Sequence, residues 1–280
     1  MNNVATYILR ISCPDEKGLI YRITQILFER QLNIVGNDEF VDTQHQHFFM
    51  RAEFAGACDL AELRAELQRA LPAAQIELDQ PRRRAVVVLA TSESHCLGDL
   101  LLRHAYGELQ AEIRAVISNR AELGSLARRF ELPFHWVSSE GLSREQHEAA
   151  LDSVIDSYSP EYLVLAKYMR ILTPGFVTRY RSRIINIHHS FLPAFVGASP
   201  YRQAFARGVK IIGATAHFVD ENLDQGPIIA QSVIPVAHTH SASDMAQAGR
   251  DVEKVVLARA LKLVFEDRVF VSGNRTIIFD

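Results

Sequence analysis

Asn186 and His188 stand two residues apart after Arg183-Ile184-Ile185, in the stretch Asn186-Ile187-His188-His189-Ser190-Phe191-Leu192-Pro193. If this run is a strand, both side chains point to one face. An amide N–H beside an imidazole can hold the oxyanion of a tetrahedral intermediate. A carboxylate follows in Leu223-Asp224-Gln225-Gly226-Pro227. Brought alongside, it would orient the imidazole, raise its basicity and position a water. An amide, an imidazole and a carboxylate in this order suit the movement of an acyl group. For two isolated polar residues at a strand end, a capping asparagine and a packed surface histidine would be the better reading. Here a loop shaped by Ser190, Pro193, Gly197 and Pro200 follows directly, and the polar cluster at Asp224 comes after it.

Elements must bring these groups together. From Ala85-Val86-Val87-Val88-Leu89-Ala90 onward, continuous apolar runs suit strands buried on both faces of a parallel sheet. Further strands are expected at Ile113–Ile117, Phe134–Val137, Tyr162–Ala166 and Ile184–His188. Helical patterns fall between them at Leu97–Tyr106, Glu122–Phe130, Ser143–Ser157 and Pro174–Tyr180, the third opened by a Ser143/Gln146 capping box. Alternating strands and helices imply a Rossmann-like doubly wound α/β sheet, in which ligands bind beyond the carboxyl ends of strands. Asn186 and His188 are at such an end. A strand pair at Ile211–Val219 and Ile228–Pro235, a long helix Ala242–Phe265 and a hairpin Arg268–Phe279 complete the pattern. The first eighty or so residues instead read βαββαβ, a ferredoxin-like unit. Pro72, Pro81 and Arg82-Arg83-Arg84 mark the boundary, giving domains 1–82 and 83–280.

Composition removes several classes. The chain has 280 residues, 48% hydrophobic and 22% charged, as an ordinary globular protein does. A net charge of −3 argues against a nucleic-acid partner. No apolar run approaches the roughly 20 residues of a membrane span. Met1-Asn2-Asn3-Val4 lacks a basic n-region, so no signal peptide is expected. Three scattered cysteines, Cys13, Cys58 and Cys96, give no disulfide framework and fit a reducing cytoplasm. His147-Glu148 begins like a zinc-protease helix, but Leu151 stands where the second histidine belongs. His188-His189 and His238-Thr239-His240 lack a third ligand nearby in sequence, so no metal and no cofactor are expected. The loop Thr91–Gly98 after the first strand of the second domain has one glycine, at its far end, and Glu93, which would repel an anion. A phosphate cradle needs more glycine than that. His217, in Ala214–Val219, is as readily a satisfied core histidine as a functional one.

These motifs resemble a known family. Asn186-Ile187-His188 with Ser190 and Leu192-Pro193, His217-Phe218-Val219, and Leu223-Asp224 with Gly226-Pro227 look like the formyltetrahydrofolate-dependent formyltransferase fold. Lys167-Tyr168-Met169-Arg170-Ile171-Leu172-Thr173-Pro174 is similar to its folate-binding loop. Cys13–Leu19 and Leu32-Asn33-Ile34-Val35 resemble an ACT domain. An ACT domain fused to this catalytic fold is the layout of the formyltetrahydrofolate deformylases. The resemblance implies catalytic roles for Asn186, His188 and Asp224. It implies a folate pocket formed by Met169, Arg170, Ile171, Leu172, Phe176, Val177, His217, Val219 and Asp220, with backbone groups of Arg170 and Leu172 pairing with the pterin. It implies an amino-acid effector, glycine or methionine, near Asp15, Gly18 and Asn33, and a homo-oligomer, dimer or tetramer. The expected reaction is hydrolysis of 10-formyltetrahydrofolate to formate and tetrahydrofolate, serving the one-carbon pool and purine biosynthesis. The alternatives are formyl transfer to an amine such as phosphoribosylglycinamide, or a non-catalytic folate or amino-acid sensor. The phosphoribosylglycinamide formyltransferases carry a glycine-rich phosphate loop where this chain has Thr91–Gly98. They commonly place proline where it has His189.

Overall fold

In the computed structural model, residues 5–193 and 200–280 are described. Gly197, one of the residues expected to shape the loop after His188, lies outside them. The chain divides into two compact units. The first runs to Arg82 and takes in Glu266–Phe270 and Ile277–Asp280; the second comprises Arg83–Phe265 and Val271–Thr276.

The first unit has the order β1 (Thr6–Pro14), α1 (Leu19–Glu29), β2 (Asn33–Asp42), β3 (His47–Ala55), α2 (Leu60–Ala70), β4 (Gln75–Asp79). Its sheet runs β2-β3-β1-β4, and each pair is antiparallel. Tyr7, Leu9, Ile11 and Cys13 alternate along β1 and share a core with Leu19, Ile23, Ile26 and Leu27 of α1 and Leu63 and Leu67 of α2. That is the period of two meeting the period of 3.6. Asp59 caps α2 by accepting from the N–H groups of Ala61 and Glu62. Phe49 of β3 packs with Phe270 and Phe279 from the C-terminal segment. Arg10 lies over the Phe270 ring at 4.3 Å. The periodicity of the C-terminus carries no sign of this packing.

The second unit is built from β5 (Arg84–Ala90), α3 (His95–Ala105), β6 (Ala111–Ser118), α4 (Gly124–Arg129), β7 (Phe134–Trp136), α5 (Arg144–Tyr158), β8 (Tyr162–Leu165), α6 (Pro174–Arg179), β9 (Ile184–His188), α7 (Pro200–Arg207), β10 (Ile211–Phe218), β11 (Ile228–Pro235) and α8 (Ala242–Phe265). A last hairpin, β12 (Val269–Ser272) with β13 (Arg275–Ile278), follows. The seven-stranded sheet runs β11-β10-β9-β8-β5-β6-β7. Strands β5 to β9 are parallel, and β10 and β11 are antiparallel to their neighbours. All residues of β5 are buried, as expected of a central parallel strand. Both halves of the Ser143/Gln146 capping box are present at the start of α5. Helix α7 was absent from the sequence reading, which carried the loop as far as Pro200. Proline at its first helical position was the available signal.

Candidate active site

Three sequence segments meet at the carboxyl end of β9. Asn186 and His188 lie on alternate positions of this strand, and β10 runs antiparallel beside it with His217 opposite Asn186. Asp224 comes from the loop between β10 and β11. The β10–β11 ladder carries a bulge at Ala216/His217, a device that re-aims a side chain. Asp224 sits at φ 56°, in the left-handed region that aspartate tolerates better than most residues. Two residues on, a Cβ on Gly226 would lie 1.9 Å from the Phe218 carbonyl oxygen. Only glycine lets the loop pass this close to β10. The turn after β9 is pinned from below by buried Thr215. Its hydroxyl donates to the Ser190 carbonyl at 2.9 Å and accepts the Leu192 N–H at 3.1 Å.

His188 Nδ1 is 3.3 Å from Asp224 Oδ2, and His217 Nε2 is 3.8 Å from Asp224 Oδ1. His217 Nδ1 donates to the Phe218 carbonyl at 2.9 Å, so its Nε2 carries the lone pair and accepts from Asn186 Nδ2 at 3.2 Å. One Asn186 amide hydrogen is thus used and the other is left over. Burial holds His217 below the usual histidine range despite the Phe218 carbonyl, so it is a neutral acceptor. Burial raises the Asp224 carboxyl, but His188, His217 and His189 outweigh it and the net shift is downward. His188 Nε2 is buried and has no hydrogen-bond partner among the described residues.

These groups line one end of a cleft of about 310 Å³. Of the expected pocket residues, Met169, Arg170, Ile171, Leu172, Val177, His217, Val219 and Asp220 line it, as do Asn186, His188 and Asp224. Phe176 is not among the lining residues. It is buried in the core, with its ring 4.9 Å from that of Tyr180. Its place on the inward stripe of α6 explains this. The loop 168–173 is tied at both ends. Met169 N–H donates to Thr91 Oγ1 at 2.9 Å. Thr173 donates its N–H at 2.7 Å, and its hydroxyl, to buried Glu148. Between these ties the backbone groups of Arg170 and Leu172 make no hydrogen bond among the described residues.

Lys167, from the run likened to the folate-binding loop, and His189 also line the cleft, though neither is among the expected pocket residues. Behind them is a cluster the sequence reading missed altogether. Fully buried Glu253 of α8 accepts from His95 Nε2 at 2.7 Å and Tyr201 Oη at 2.7 Å, with Lys167 Nζ at 3.2 Å. A carboxylate beside Val252, Val256 and Leu257 on the apolar stripe of α8 was the signal. Tyr201 fits because a Cβ on Gly249 would lie 2.0 Å from its hydroxyl. His95, Cys96 and Glu253 offer the nearest approach to a metal-ligand group among the described residues, and the Lys167 ammonium already stands beside it.

Asp15 and Gly18 are exposed at the start of α1, and Asn33 is exposed at the start of β2. Gly18 caps α1 at φ 84°, and no side chain caps that first turn.

A formyl transferase family model matches residues 84–261, and an ACT domain model matches residues 7–71. The formyltetrahydrofolate deformylase of Escherichia coli O6:H1 is 58% identical, over 99% of this chain and 100% of its own. The crystal structure of a formyltetrahydrofolate deformylase from Pseudomonas syringae pv. tomato superposes with a TM-score of 0.95 at 39% identity, covering 100% of this chain and 96% of that one. Glycinamide ribonucleotide transformylase 1 from Symbiobacterium toebii superposes at 0.69 and 32% identity, over 72% of this chain and 97% of its own. The second fold is thus shared with transferases. The agreement in layout, length and both domains is with one group, and the chain belongs to the formyltetrahydrofolate deformylase family.

Proposed function

We propose that this chain hydrolyses 10-formyltetrahydrofolate to formate and tetrahydrofolate, with Asn186, His188 and Asp224 as its catalytic groups. The convergence of these three side chains at one end of the cleft carries the reading. The other wall suits the folate. Apolar side chains of Ile171, Leu172 and Val177 hold the faces of the pterin, and the unpaired backbone groups of Arg170 and Leu172 read its edge. Water held near Asp224 and His188 attacks the formyl carbon. The spare Asn186 N–H and His188, when protonated, stabilise the oxyanion, and losing one such donor typically costs about 10²–10³ in rate. His188 and Asp224 pass a proton to N10, which leaves as the amine. The step asks nothing of a metal.

Transfer to an amine is the second reading, favoured by the fold shared with transformylases. Against it stands the loop Thr91–Ser94, which bears Glu93 rather than a run of glycines. One assay separates the two. Formate release from 10-formyltetrahydrofolate with no amine present is expected at full rate, and dependence on added phosphoribosylglycinamide would reverse the assignment.

The ACT-type domain points to an amino-acid effector and to pairing of two or more copies of this chain. The uncapped first turn of α1 offers free N–H groups for a carboxylate near Asp15 and Gly18, with Asn33 for the ammonium. Titration calorimetry with glycine and with methionine is expected to give saturable heat for one of them. No heat from either would leave the domain an oligomerisation module. Among the described residues, no helix is long and apolar enough to cross a membrane. Three free cysteines fit a reducing cytoplasm.

A further inference from the structure

A hydrolase has a particular difficulty. Its nucleophile is a solvent molecule with no handle of its own, so protein groups must hold it against the electrophile. Asn186, His188 and Asp224 serve the oxyanion and the proton. A water beside Asp224 and His188 still needs a further contact to fix its direction of attack.

His189, next to His188 in the chain and lining the same cleft, is a polar side chain placed for that task. It follows the last residue of β9, is half-buried, and lines the cleft. Its ring centroid is 5.0 Å from that of His188, with the planes tilted by 39°. Neither of its ring nitrogens makes a hydrogen bond among the described residues. Its ring nitrogens are therefore available to a molecule in the cleft that the ring lines. Its wall of the cleft is built for rigidity. Lys167, the cleft residue behind it, is held by fully buried Glu253, which is itself held by His95 and Tyr201. Tyr201 also stands 6.4 Å from the His189 ring.

We propose that His189 holds the hydrolytic water, accepting its hydrogen bond beside His188 on the wall backed by Lys167 and Glu253. The inference rests on the assignment of Asn186, His188 and Asp224 as the catalytic groups. Burial, then the neighbouring Lys167 and His188, hold His189 down to about 4. The ring is therefore neutral at physiological pH and keeps one lone pair to accept and one N–H to donate. In the step itself the water oxygen bonds to the formyl carbon. One water proton passes through His188 and Asp224 to N10, the C–N10 bond breaks, and the products are formate, a proton and tetrahydrofolate. No electron changes hands. Proline at this position would leave the water unheld.

The test is a partition between two nucleophiles. Hydroxylamine is far more nucleophilic than water and can be supplied in excess; with the formyl group it gives formohydroxamate and tetrahydrofolate. His189→Ala is expected to lower formate release about 10²-fold, a loss of the size that misplacing a reactant produces. KM should be unchanged, and formohydroxamate formation above the uncatalysed background should fall less than threefold. His189→Asn, which restores a short acceptor, should retain more formate release than His189→Ala. Unchanged formate release in His189→Ala overturns the proposal. So does a parallel loss of both products, which would mean that the ring merely supports His188, and so do equal losses in the two variants. If the catalytic assignment itself were wrong, Asp224→Asn would keep both products, an outcome separate from all of these.

Discussion

An Asp224→Asn protein is expected to bind 10-formyltetrahydrofolate with near-native affinity and to release formate roughly 10²–10⁴-fold more slowly, the range over which a positioned acid or base contributes. The substitution keeps the shape of the side chain. Asparagine also tolerates the left-handed backbone that Asp224 adopts at φ 56°, so the loop folded over Gly226 should survive. The loop from Met169 to Thr173, proposed above to hold the pterin, is tied to Thr91 and Glu148 and not to Asp224. Substrate affinity and turnover should therefore separate. What disappears is a charge 3.3 Å from His188 Nδ1. Without it the imidazole loses the partner that fixes its tautomer and stabilises its protonated form. The wild-type carboxyl is held below the ordinary carboxylate range, so it is ionised throughout the neutral range and no change of pH there can restore the variant. Folate affinity measured by equilibrium titration, beside a formate assay, checks both halves. Near wild-type turnover would remove Asp224 from the mechanism, and lost binding would make its role structural.

The parts of this site that could be read in the sequence share one property: their residues are close in the chain or marked by a strong local pattern. Asn186 and His188 were legible because a strand's period of two fixes their common face. The run 167–174 stood out only through its resemblance to the family's folate-binding loop, and its residues 167–172 line the cleft. Asp224 could be named but not placed, since its approach to His188 depends on the β10 bulge and on the passage of Gly226 over Phe218. Neither feature has a periodic signature. Phe176 was assigned to the pocket and lies in the core, because a short helix does not reveal which apolar residue turns inward. The Glu253 cluster was missed for the opposite reason. Its members, at 95, 167, 201 and 253, come from four separate stretches of the chain, and only the folded sheet brings them together. The packing of Phe270 and Phe279 against Phe49 is equally non-local.

The same cluster gives the largest stability effect expected of a single substitution. Glu253→Gln changes almost no volume, yet it takes the nearer and fully buried counter-charge from the Lys167 ammonium and leaves Glu93, partly exposed and 3.7 Å away. Lys167 is 4% exposed and Glu253 is 0% exposed, so water cannot take over. Breaking such a pair from one side costs about 3–5 kcal/mol. The loss should appear as a lower urea midpoint for the second unit, read by hydrogen exchange in β5, β8 and α8 so that the first unit does not obscure it. The sign with pH follows from the carboxyl group. Burial alone would raise it, but His95, Lys167 and Tyr201 pull it from 4.5 down to about 2. A depressed carboxyl contributes stability that is present above its unfolded value and is lost as pH falls toward the folded one. The gap between wild type and Glu253→Gln should therefore be widest above pH 4.5 and close between there and about 2. Adding Lys167→Met to Glu253→Gln removes the stranded ammonium and should recover most of the loss, since replacing a whole buried pair by apolar groups is often neutral. If the double variant is as unstable as the single one, the cost lies in packing around Tyr201 and Gly249, and the charge pair is not what holds this wall of the cleft.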